Sequence, residues 1–162
     1  MITEQIVFLD WHLQEDTLTQ IASTAGEQII LKGTALPQFE FGATLRLIAP
    51  LSEGQSALGI LAHYSNKARL LIRFIQQQER WALAVETVGV APVVNRVIAL
   101  PADFDPADWH TLRLIQQVEQ TDIYLDGTAI LRVLETAYIA QPGIYVNNAG
   151  AEYSHISQSS ND

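Results

Sequence analysis

The strongest constraint in this chain is the rhythm of its apolar residues. Thirteen short segments, alternating with period two or rich in β-branched and aromatic side chains, follow one another with turn residues between them. They are Ile6–Trp11, Leu18–Ile21, Gln28–Leu31, Phe39–Ile48, Leu58–Tyr64, Leu70–Ile75, Trp81–Val88, Val93–Leu100, Thr111–Gln116, Asp122–Leu125, Ala129–Leu134, Gly143–Val146 and Glu152–Ile156. Period two sends successive side chains to opposite faces of a strand, so one face can be buried and the other wet. Phe39–Ile48 shows the pattern: Phe39, Phe41, Leu45 and Leu47 share one parity, and Glu40, Thr44 and Arg46 the other. No helical period of comparable length separates these segments. The expected fold class is all-β, a two-sheet antiparallel β-sandwich, rather than a βαβ arrangement.

Turn chemistry supports this. Asp126-Gly127 lies between Ile123-Tyr124-Leu125 and Ala129-Ile130-Leu131. Both central residues of a type I′ turn need positive φ, which Asp and Gly tolerate, so the pair predicts a two-residue hairpin. Gln76-Gln77-Gln78 is read as the turn before Trp81–Val88, and Pro101–Asp108, with two prolines and three aspartates, as a loop. The Ser/Asn/Gln-rich end, 157–162, is expected to fray, which makes one domain over 1–157 and a disordered tail over 158–162.

Composition bounds the partners. The 162 residues are 48% apolar, enough for one domain with a core of its own. A formal charge of −9 repels phosphate backbones and anionic lipid, so no nucleic acid and no membrane partner is expected. With no cysteine there are no disulfides and no thiolate metal sites. Met1-Ile2-Thr3-Glu4-Gln5 lacks a basic n-region, so no signal peptide is read and the cytoplasm is the default compartment, unless the chain is a domain of a larger protein. Leu70–Ile75 and Val93–Leu100 are apolar on both faces, which would suit burial by a second copy, a homo-oligomer.

One stretch has a family likeness. Asp108-Trp109-His110-Thr111-Leu112-Arg113-Leu114, Asp122-Ile123-Tyr124-Leu125-Asp126-Gly127 and Pro142-Gly143-Ile144-Tyr145-Val146 resemble motifs in the C-terminal half of concanavalin A-like lectin/glucanase domains. Trp11-His12-Leu13-Gln14-Glu15-Asp16-Thr17-Leu18 resembles their opening strand, with Thr17 where glycine is usual, and Leu58–Tyr64 resembles an inner strand. The likeness spans roughly residues 11–157. It implies a concanavalin-like jelly roll, of the kind found in laminin-G-like modules, in modules accompanying glycoside hydrolases and in single-domain sugar hydrolases. Its motifs specify strands and turns rather than a ligand.

Retaining glucanases of this fold carry an E-x-D-x-(x)-E strand that sets two carboxylates side by side, and the chain has none. Asp103, Asp105 and Asp108 lie on one loop and could offer oxygens to calcium; aspartates before proline also simply initiate turns. A zinc site from His12, His110 and His155 has no supporting local spacing. His63 and Arg73 fall on successive strands and, by hairpin register, on one face. Arg46 projects from an alternating strand and Trp81 opens the next one. If the concave sheet gathered Arg46, His63, Arg73 and Trp81, the ring would stack on a sugar and the guanidinium forks would take its hydroxyls or a carboxylate. Taken singly, each is also what a half-exposed sheet turns to water. Trp11 and Trp109 are read as core anchors. The leading functional reading is a non-catalytic carbohydrate-binding or accessory module, of the kind that accompanies a parent glycoside hydrolase. The alternatives are a single-domain sugar hydrolase and a structural oligomerisation domain.

Overall fold

A computed structural model describes residues 11–14, 17–20, 27–50, 56–65, 67–90, 93–134 and 139–160. Thirteen strands and no helix occupy them: β1 (Trp11–Gln14), β2 (Thr17–Gln20), β3 (Glu27–Leu31), β4 (Phe39–Pro50), β5 (Ala57–Ser65), β6 (Ala68–Gln77), β7 (Arg80–Val88), β8 (Asn95–Ala99), β9 (His110–Gln116), β10 (Gln120–Leu125), β11 (Thr128–Leu134), β12 (Gln141–Asn147) and β13 (Ala149–Ser160). The first segment read from the sequence, Ile6–Trp11, lies almost wholly outside the described residues.

The strands form two antiparallel sheets. One has seven strands in the order β1-β2-β13-β4-β9-β10-β11; the other has six, β3-β12-β5-β6-β7-β8. Their inner faces make one core. Phe39, Phe41, Leu45, Leu112, Leu114, Ile123 and Tyr153 come from the seven-stranded sheet, and Ile30, Leu58, Ile60, Leu70, Ile72, Phe74, Leu83, Val85 and Ile144 from the six-stranded one. Period two is what sorts them: in β4 the odd positions are buried, while Glu40, Thr44 and Arg46 face out.

The Asp126-Gly127 turn is confirmed, with φ of 49° and 84°. Asp126 does more than turn the chain: its Oδ1 accepts the Thr111 backbone N–H at 2.8 Å and its Oδ2 lies 2.8 Å from His110 Nδ1, tying the hairpin to the start of β9. A Cβ on Gly127 would meet nothing within 4 Å, so any cost of adding one comes from the backbone alone. Gly127→Ala is therefore expected to lower stability by about 1 kcal/mol in urea unfolding, since L-residues are penalised by that amount at positive φ. An unchanged midpoint would show that the turn relaxes to another type.

Two expectations are corrected. The β6–β7 turn falls one step later than the glutamine run, at Gln78-Glu79, and the strand runs on through Gln76 and Gln77. Both turn residues hold positive φ (49° and 68°) although neither is Gly, Asn or Asp; the pairing of Gln77 with Arg80 leaves only two residues to close the hairpin. The strand runs past the expected boundary at 157: β13 continues to Ser160, pairing Gln158 with Phe41 and Ser160 with Phe39, because its backbone recovers hydrogen bonds on β4 whatever its side chains. Leu71, apolar on the outer face of β6, packs with Leu61 and Tyr145 in a small second cluster.

Candidate functional site

The outer face of the six-stranded sheet carries a polar cluster on an apolar and small-residue floor. Strand register sets it out in rows. One row reads Ile29, Tyr145, Gly59, Arg73, Ala84, Val97 across β3, β12, β5, β6, β7 and β8. The row beside it reads Leu31, Gly143, Leu61, Leu71, Glu86, Asn95. Gly59 is what lets the first row work. With no side chain between them, Arg73 reaches across β5 and donates from Nη1 to the Tyr145 hydroxyl at 3.0 Å.

From there the network spreads both ways. Arg73 Nη2 donates to Glu86 Oε2 at 3.3 Å. Arg69, four residues before Arg73 on β6, grips Glu27 of β3 in a bidentate pair at 2.7 and 2.8 Å. That hydrogen-bonded guanidinium, more than burial, sets the Glu27 carboxyl, holding it below the usual carboxylate range with help from the Tyr145 hydroxyl. Burial pushes the Tyr145 phenol up, so it stays neutral. The two arginines and two glutamates cancel, leaving a half-exposed, charge-balanced patch rich in forked donors and acceptors.

His63 stands at the next level of the same face, opposite Arg69. The sequence register had set it against Leu71; a bulge between His63 and Ser65 moves the pairing two residues without changing the face. Burial, and then the positive Arg69, lower its pKa from the ordinary 6.5. The neutral ring offers one donor and one acceptor at neutral pH. The sign for stability follows: a depressed pKa means the unfolded chain binds the proton more readily, so stability present above pH 6.5 is lost as pH falls toward the folded value. His63→Gln should flatten that part of the stability–pH curve, measured by urea unfolding at closely spaced pH values below 6.5. Parallel curves for the two proteins would show that His63 carries none of the slope.

The structure does not bring all four predicted residues together. Arg46 lies on β4, in the other sheet, facing outward from the opposite side of the sandwich. There its Nε donates to Glu152 Oε1 at 2.8 Å and its guanidinium stacks over Trp109 at 4.6 Å. Trp81 has the parity of Leu83 and Val85 and packs, partly buried, against the core. Hence His63 and Arg73 share a face, while Arg46 and the Trp81 ring do not join them. Trp109 is also corrected: it is 41% exposed, not a core anchor. The side chain of Trp11 lies outside the described residues.

The aspartate loop is built for turns. Asp105 Oδ1 accepts the Ala107 N–H at 2.9 Å, its carbonyl takes the Asp108 N–H at 3.1 Å and lies 2.8 Å from His110 Nε2, and Pro106 offers its carbonyl to Leu47 at 2.7 Å. Asp103, Asp105 and Asp108 do not gather around a common point; among the described residues no three His, Asp or Glu side chains form a group that could hold a metal. The same test covers the His110 and His155 part of the zinc reading.

Sequence reasoning missed Tyr145, Arg69 and Glu27. Tyr145 had been noted only as a strand residue, and nothing local marks any of the three, because strand pairings between distant segments bring them together.

Comparison with solved structures places the fold. The chain superimposes on a carbohydrate binding module, CBM66, from Bacillus subtilis with a TM-score of 0.71 and 16% identity, over 97% of this chain and 95% of that one. It superimposes on the Crh5 transglycosylase with a TM-score of 0.73 and 8% identity, over 98% and 78%. It also matches the xyloglucan-locus GH43B protein of Bacteroides ovatus (TM-score 0.71, 12% identity), covering 93% of this chain and 34% of that longer one. No family model and no curated protein matches the sequence. The pairing order, the single shared core and these superpositions together identify the fold of this chain as the concanavalin-like jelly roll.

Proposed function

We propose that the chain is a non-catalytic carbohydrate-binding module whose ligand lies on the outer face of the six-stranded sheet. The observation that carries this reading is the Arg69–Glu27–Tyr145–Arg73–Glu86 network beside neutral His63. Its charges cancel, so it suits hydroxyls rather than a strong anion. Guanidinium and carboxylate edges side by side serve adjacent hydroxyls, one donating to the ligand and the other accepting from it. A structural neighbour of the same size, described as a carbohydrate binding module, supports the assignment.

The hydrolase reading is less well supported. A glycosidase needs one carboxylate and one carboxylic acid flanking the bond. Glu27 and Glu86 are each held by an arginine, and Glu27 ionises more easily than an ordinary glutamate, the reverse of what a general acid requires.

The test is a glycan array followed by titration of the best neutral oligosaccharide. Affinity on the order of 0.1–1 mM is expected, because each hydrogen bond to a sugar replaces one to water. Arg73→Ala should weaken binding about tenfold or more. It should cost only about 1 kcal/mol in stability, since its carboxylate partner is partly exposed and rehydrates. No binding by the wild type to any glycan would reject the proposal. Reducing ends released during incubation would favour the hydrolase instead.

A further inference from the structure

We propose that the cleft at the β6–β7 hairpin is a second saccharide subsite, one that takes an anionic substituent of the sugar; this rests on the carbohydrate-binding reading above. The cleft, of about 540 Å³, is lined by Gln77, Gln78, Arg80, Trp81, Ala82, Val97 and Ala99. It lies on the same outer face as the central network. Gln77 follows Arg73 by four residues on β6, a distance of about 13 Å at roughly 3.3 Å per residue. Between the two, the floor is apolar: Ile75, Ala82 and Ala99 form one row of the sheet, next to Ala84 and Val97. An extended oligosaccharide a few residues long spans that distance without meeting a bulky side chain.

The chemistry of the two ends differs. Arg69 and Arg73 are committed to Glu27 and Glu86, and Arg46, Arg113 and Arg132 also sit in carboxylate pairs. Arg80 and Arg96 have no carboxylate within ion-pair distance among the described residues, although acidic residues outnumber basic ones 18 to 9 in this chain, and of the two it is Arg80 that lines this cleft. An exposed, unpaired guanidinium at the rim of a cleft is a forked donor for a carboxylate or sulfate. Gln77 and Gln78 add two amides able to donate to or accept from hydroxyls, and Ala82, Val97 and Ala99 line the cleft with apolar surface. The turn holds these groups around the cleft: Gln78 and Glu79 both keep positive φ, which makes the connection two residues long and sets Gln77 directly opposite Arg80.

The experiment compares wild type, Arg80→Ala, Arg80→Lys and Arg73→Ala on an array of neutral, uronate-bearing and sulfated oligosaccharides, followed by titration with the strongest of each class. The wild type should prefer one acidic class over neutral glycans by about tenfold, the gain expected for one forked charge-assisted contact. Arg80→Ala should lose that preference while keeping neutral-glycan affinity, Arg80→Lys should keep part of it, and ~0.5 M NaCl should suppress it. The uronate and sulfate arms identify the anion. Arg80 is exposed, so an unchanged melting temperature is expected for its variants and separates lost contact from lost fold. Acidic-glycan affinity unchanged in Arg80→Ala, or no acidic preference in the wild type, overturns the second subsite and leaves the central reading intact. A wild type that binds no glycan of any class overturns both.

Discussion

Gly59→Ala is expected to be among the most damaging single-methyl changes in the described part of the molecule. Gly59 sits in β5 with β12 on one side and β6 on the other, and it is buried. A Cβ built there would come within 2.0 Å of the Ile72 carbonyl oxygen and 2.6 Å of the Arg73 Cα. Both are backbone atoms of a paired strand, so no rotamer change relieves the contact; β6 has to move. Overpacking of this kind costs about 3 kcal/mol, at the upper end of its usual range, because a close-packed interior cannot yield locally. The same shift breaks the reach of Arg73 across β5 to Tyr145. Urea unfolding should show the loss as a lower midpoint, and glycan titration as weaker binding even at temperatures where the variant remains folded. A midpoint within 0.5 kcal/mol of wild type, by the usual spread for neutral surface changes, would mean that β5 and β6 are not held in this register.

Tyr153→Phe is expected to have the second largest effect. Tyr153 stands on β13 in the seven-stranded sheet, yet its hydroxyl crosses the core to the other sheet. There it accepts the Gly59 N–H at 3.1 Å and faces two acceptors, the Gly59 carbonyl at 3.0 Å and the Tyr145 carbonyl. Removing the oxygen leaves a buried N–H and buried carbonyl groups with one partner fewer, and water has no route to the fully buried site. Each such group costs roughly 1–3 kcal/mol, so a total of about 2–3 kcal/mol is expected. Burial also pushes the phenol well above its ordinary 10.0, since the anion would have to form inside the core. The consequence has a definite sign. The unfolded chain loses this proton first, so stability is whole below pH 10 and falls as pH rises above it. The variant should therefore be less stable than wild type at neutral pH but show a shallower alkaline decline. Equal midpoints at neutral pH would indicate that the hydroxyl bridge between the sheets does not form.

These two positions show how far local sequence reaches. The strand pattern was legible because period two is a local signal: a residue and its neighbours two apart decide which face is buried, and Phe39, Phe41, Leu45 and Leu47 announce theirs without reference to any partner. Asp126-Gly127 was legible for the same reason, since a two-residue turn is decided by the φ its own residues tolerate. The fold class and the shared face of His63 and Arg73 therefore came from the sequence alone, the latter even through an error of two residues in register, because parity survives a shift of two.

What the chain could not display locally is everything that depends on which sheet a strand joins. Arg46 and Arg73 look alike in sequence, each polar in an apolar strand, but β4 joins the seven-stranded sheet and β6 the six-stranded one, so their side chains leave the molecule on opposite sides. Trp81 needed one more step: its parity with Leu83 and Val85 turns it inward, a fact visible only once the core face of β7 is known. Arg69 meets Glu27 across 42 residues and Tyr153 meets Gly59 across 94. Such contacts are made by strand order and sheet packing, which long-range pairing energy selects and no window of neighbouring residues contains. The sequence by itself determined an all-β sandwich with its hairpins; the tertiary structure alone decided which arginines face one another, which glycine opens the gap between them, and therefore where the candidate site lies.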